Sequence, residues 1–153
     1  MSAPSTVAQH PGTLSAPLGR RILAGVIGGL AGGVVFGMLM AMMGLLPMLA
    51  SIVGSSSPWV GFAMHLMISI VIGLGLTVLF GNRLLTEYGR GVLAGLAYGA
   101  LWWVLGPLVM MPLMLGMPLF TLDLAALLSM MGHLIYGAIL GLTAVRVLKG
   151  RHE

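Results

Sequence analysis

Residues 22–82 contain no Asp, Glu, Lys or Arg, and two more uncharged runs follow at 91–122 and 124–145. A soluble domain with that pattern could not cover its own surface with water-compatible groups. With 59% hydrophobic and 7% charged residues, the chain has little else to cover it with. A hydrocarbon core about 30 Å thick needs about 20 apolar residues per helix. The first run is long enough for two such helices and the others for one each. The expected fold class is therefore all-α, a bundle of four transmembrane helices at about 21–45, 58–80, 90–111 and 122–147. The 153 residues suffice for one membrane domain, placed at 19–149.

The few charges set an orientation. Arg20 and Arg21 precede the first span, Arg83 and Arg90 lie between the second and third, and Arg146, Lys149 and Arg151 end the fourth. All seven basic residues thus fall on one side, and the positive-inside rule places both termini in the cytoplasm of a cell with an inner membrane. The same residues suit contact with anionic lipid headgroups, so the basic balance does not argue for nucleic acid. With no cysteine, disulfides and thiolate metal sites are excluded. Residues 1–18 are rich in Ser, Ala and Pro, lack apolar periodicity, and read as a disordered cytoplasmic tail.

Inside the spans the signal is small residues at steps of four, which keep to one helix face. The first span has Gly25, Gly29, Gly33 and Gly37. The second has Gly61, His65, Ser69 and Gly73. The third has Gly91, Gly95 and Gly99. The fourth has Ser129, His133, Gly137 and Gly141. In water each glycine would cost a helix about 1 kcal/mol; in lipid such rows let backbones approach closely. The histidine rows lie 68 positions apart and the glycine rows 70. We therefore expect two parallel-repeat helical hairpins, residues 19–80 and 89–148, related by a pseudo-twofold axis along the membrane normal.

The loops opposite the basic side carry further expectations. Residues 46–57 form the first, closed by Ser57 as a cap and Pro58 as the first helical residue. Residues 111–120 form the second; Pro112 and Pro118 prevent one continuous helix, leaving short pieces at the interface or against the bundle. Thr121 and Asp123 open the fourth span as cap and first-turn anion. On the inner side, Gly81 and Asn82 mark the stop of the second span.

Chemistry narrows to two histidines. No paired carboxylates, Ser/His/Asp set or phosphate loop is present, so enzymatic hydrolysis has no residues to stand on. His65 and His133 are expected at similar depth, facing each other across the axis, each neutral and in need of a hydrogen-bond partner. Three readings follow. One is a b-type haem with His65 and His133 as axial ligands, where Ser69, Gly73, Gly137 and Gly141 leave room for a flat macrocycle. The second is a soft metal, copper above all, held by His65 and His133 with Met64, Met67 and Met130. The third is packing alone, in which the histidines bond neighbouring helices and the protein is a non-catalytic accessory or self-associating subunit of a membrane complex. A small-solute transporter is a further alternative, weakened by the lack of a polar path.

The pattern His65, Ser69, Gly73 and His133, Gly137, Gly141 resembles that of an uncharacterised group of small bacterial four-span inner-membrane proteins. The resemblance covers most of residues 20–148. It implies the topology and a bacterial origin, and it carries no activity.

Overall fold

The computed structural model describes residues 16–150. The tail at 1–15 and Arg151 lie outside the described residues. The elements are α1 (Leu18–Met42), α2 (Leu46–Ser51), α3 (Pro58–Leu84), α4 (Tyr88–Leu105), a π-helical turn (Gly106–Met110), α5 (Met111–Leu115) and α6 (Leu124–Lys149). Among the described residues, four segments are long and apolar enough to cross a membrane: α1, α3, the stretch Tyr88–Leu115, and α6. The chain is a multi-pass, all-helical membrane protein.

Three tight seams hold the bundle. In the first, α1 lies antiparallel on α3. A Cβ on Gly25 would stand 2.5 Å from Thr77 Oγ1, one on Gly29 2.6 Å from Ser69 O, and one on Gly33 2.7 Å from Ser69 Cβ. In the second, α4 lies antiparallel on α6, with Gly95 and Gly137 against each other's carbonyls and Gly99 against the carbonyl of His133. No larger residue fits either crossing without moving backbone. Small residues here replace side-chain interdigitation with backbone contact, which suits lipid, where burial of apolar area drives nothing.

The third seam joins the hairpins through a second face of α1. Gly28 packs on Leu140, Gly32 on Tyr136, and Phe36 enters the notch left by Gly132. Tyr136 adds a hydrogen bond across the bundle, its hydroxyl donating to the Ser69 carbonyl of α3 at 2.6 Å. The fully buried Leu76, Thr77, Leu140 and Val145 fill the half of the bundle nearer the basic residues. By contrast, α3 and α4 barely touch.

These registers bring Arg20, Arg21, Arg83, Arg90, Arg146 and Lys149 to one end, hereafter the basic end. There Arg21 Nε donates to the Thr77 carbonyl at 3.1 Å, and Lys149 Nζ sits 5.1 Å from the centre of the Tyr88 ring.

The ends of the elements differ from the sequence expectations in five places. The third span continues past residue 111 to Leu115, because the helix absorbs Pro107 instead of stopping. Proline lacks the N–H and crowds the carbonyl four residues back, and the wider π turn relieves both. The first far-end loop holds α2 at Leu46–Ser51, started by Pro47 in its first turn. Ser57 makes no side-chain cap, and α3 runs beyond Gly81 and Asn82 to Leu84. Asp123 is itself the N-cap of α6, its Oδ1 accepting from Ala126 N at 2.8 Å, whereas Thr121 Oγ1 turns back to the Pro118 carbonyl.

Candidate functional site

Because α3 and α4 fail to close, the far half of the bundle contains a cavity of about 400 Å³. Its walls come from α1, α2, α3, Trp102 of α4, the π turn, α5 and the first half of α6. His65 and His133 both line it, at one level, because both pack on the same side chain. The Phe36 ring meets the His65 ring edge-on at 5.0 Å between centroids and the His133 ring at 4.7 Å.

The two imidazoles are tethered differently. The Nε2–H of His65 donates to the Gly33 carbonyl of α1 at 3.1 Å. The Nδ1–H of His133 donates to the carbonyl of Ser129, one turn back on its own helix, at 2.8 Å. A carbonyl only accepts, so each contact fixes which nitrogen carries the hydrogen. His65 is left with a bare Nδ1 lone pair and His133 with a bare Nε2 lone pair. Among the described residues neither nitrogen has a protein partner, and neither is closed off from water-sized contact; Trp102 Nε1 alone is both buried and unpartnered. In an apolar chamber, where a charged imidazolium is costly, the two neutral rings present two acceptor nitrogens.

The helices opposite the two histidines also differ. Seventy positions after Gly33 stands Trp103. Its indole N–H donates to the Ala126 carbonyl at 2.9 Å, pinning the α4 span to α6. No hydrogen bond runs from His133 to α4 as one runs from His65 to α1, and His133 bonds Ser129 on its own helix.

The remaining wall is soft and apolar. Met40, Met48, Met110, Met111, Met114 and Met117 line the cavity, and exposed Asp123 is its one charged lining residue. Met64, Met67 and Met130 are not among the lining residues. Met67 is 66% exposed on the bundle surface, Met64 packs against the core, and Met130 is half-buried. Met64 and Met67 stand one and two positions from His65, about 100° and 200° round the helix, which takes them off its face; Met130, three positions before His133, shares its side of the helix and still lies outside the lining. The small ladder residues Ser69, Gly73, Gly137 and Gly141 lie in the α1–α3 and α4–α6 seams, with Ser69 also on the cavity wall. Gly37 stands beside Phe62 and His65. Among the described residues no three His, Asp or Glu side chains gather as a metal-ligand group.

Three participants escaped sequence reasoning: Phe36, Tyr136 and Trp102. A signal did exist for the first, since Gly106 occupies the place 70 positions after Phe36. A ring on one side and a vacancy on the other is what leaves His133 facing open space; a Cβ on Gly106 would lie 4.0 Å from its Nε2.

The chain matches no family model, and no curated protein and no solved structure matches it significantly.

Proposed function

We propose that this membrane protein binds a soft monovalent metal ion, copper(I), in the far-half cavity, with Nδ1 of His65 and Nε2 of His133 as donors. The observation that carries the proposal is the pair of carbonyl tethers, which hold the hydrogen of each neutral ring on one nitrogen and leave the other its lone pair. A bare imidazole nitrogen binds a metal or accepts a hydrogen, and thioether sulfur next to imidazole selects copper(I) over harder ions. The six cavity methionines supply the thioethers, in place of Met64, Met67 and Met130. Asp123 at the rim attracts a cation and disfavours an anion.

Haem is the poorer fit on the same observations. Phe36 packs against both imidazoles, so a macrocycle slotted between them would displace it. The lining has no Lys or Arg for the propionates, and Asp123 would repel them. A transporter is also less favoured, because the cavity occupies one half of the bundle and the buried Leu76, Thr77, Leu140 and Val145 fill the other. The basic end faces the cytoplasm on the positive-inside rule, which would open this site toward the outer side of an inner membrane.

The test is metal competition on detergent-purified protein. Wild type is expected to take one copper(I) per chain from a chromogenic chelator. His133→Ala, whose hydrogen bond stays within its own helix, should lose it with a smaller fall in melting temperature than His65→Ala, which also breaks a bond to α1. Met111→Leu and Met114→Leu together should weaken it. Dithionite-reduced haem bands that vanish in His65→Ala and His133→Ala would replace copper with haem. Blank metal and haem assays, with both alanine variants merely less stable, would reduce the pair to packing in an accessory subunit.

A further inference from the structure

The unclosed α3–α4 seam also leaves an open groove in the basic half of the bundle, of about 610 Å³. Leu76, Phe80 and Leu84 of α3 form one wall, and Leu93, Ala97 and Leu101 of α4 form the other. Arg90 stands at its basic end, its guanidinium donating to the Arg83 carbonyl at 3.4 Å. At the opposite end Tyr98 closes it, the hydroxyl donating to the Ile72 carbonyl of α3 at 3.0 Å. Residues 90–101 of a helix rise about 16 Å at 1.5 Å per residue, close to half of a hydrocarbon core about 30 Å thick.

The groove is thus one leaflet deep, apolar along its length, and cationic at the level of the headgroups. We propose that it seats one anionic phospholipid from the leaflet at the basic end, with an acyl chain between α3 and α4 and its phosphate at Arg90. Arg90 is the one charged lining residue; Arg83 and Glu87, both exposed, lie outside the lining and offset each other, so the mouth keeps a net positive charge. A guanidinium binds phosphate through paired N–H donors as well as through charge. A zwitterionic lipid offers the same chain but repels the mouth with its own cation. The Tyr98 stop distinguishes this seat from the general lipid annulus, because it gives the chain a floor. The inference is independent of what the histidine cavity holds.

Native mass spectrometry of the full chain, released from micelles doped with phosphatidylglycerol or phosphatidylcholine, tests it. Monomer carrying one phosphatidylglycerol is expected to survive at higher activation than monomer carrying phosphatidylcholine. Arg90→Gln should weaken phosphatidylglycerol retention about fivefold, and Arg90→Lys should restore part of it. Ala97→Phe, which fills an exposed groove position without touching either arginine, should also abolish retention. Equal retention of the two lipids, or full retention in Ala97→Phe, overturns the proposal. Dimers that disappear in Ala97→Phe and ignore added lipid would overturn it too, by giving the groove to a second copy. Inorganic phosphate binding that matches the lipid and persists in Ala97→Phe would reduce the mouth to a headgroup contact and overturn the seat.

Discussion

The α1–α6 and α4–α3 seams each set a helix of one hairpin against a helix of the other, and they behave oppositely. On α1 the facing residues are Gly28, Gly32 and Phe36; 70 positions later α4 has Tyr98, Trp102 and Gly106. Two glycines let α1 lie directly on α6, with the Phe36 ring seated in the Gly132 notch. Tyr98 and Trp102, stacked edge-on at 6.1 Å, hold α4 away from α3. One seam becomes core, and the other becomes a cavity at the far end and a groove at the basic end. Where the bundle has space is therefore set by which of two helices carries bulk at two turns, not by the ladders that close each hairpin.

Substitutions that exchange bulk between the seams test this most severely. Gly32→Leu should cost about 3 kcal/mol or prevent assembly, since even a Cβ there would lie 2.8 Å from the Tyr136 carbonyl oxygen. Trp102→Leu, the matching change in the open seam, should cost about 1 kcal/mol, because it also removes a buried indole N–H without a partner. Denaturation in mixed micelles would compare the two; equal losses would break the contrast. A smaller effect separates the two cross-bundle tyrosines. Tyr136→Phe loses a buried 2.6 Å bond to Ser69 and should cost about 1 kcal/mol, whereas Tyr98→Phe loses a half-buried 3.0 Å bond and should cost less. Thermal melts of both variants read this difference, and a larger loss for Tyr98 would mean that the open seam carries more of the stability than its contacts suggest. The smallest change is Gly19→Ala. Nothing lies within 4 Å of a Cβ there, so helix propensity alone should raise stability by up to about 1 kcal/mol. A fall in melting temperature would expose a contact at the basic end.

Part of the site was legible before folding. The steps of four picked out His65 and His133 as buried-face residues, because helical periodicity is local and survives any tertiary arrangement. Which methionines line the cavity does not follow from closeness to the histidines in the chain: Met64, Met67 and Met130 lie outside the lining, whereas Met111, Met114 and Met117 reach it through a span that takes a π turn at Pro107. Nor was the unequal tethering of the histidines legible, since it depends on a carbonyl supplied by α1 in one case and by α6 itself in the other.

Charge distribution and hydropathy alone determine that this chain is a four-helix membrane protein with its cations gathered at one end, since each uncharged run must satisfy its own backbone in lipid. The small-residue rows likewise determine which face of each helix can approach another backbone. Tertiary structure decided the rest: that α6 takes the second face of α1, that Phe36 stands against both imidazoles, and that α3 and α4 stay apart. Those outcomes depend on competition between faces for the same neighbours, and bulk on one helix is felt only once another helix tries to occupy its space.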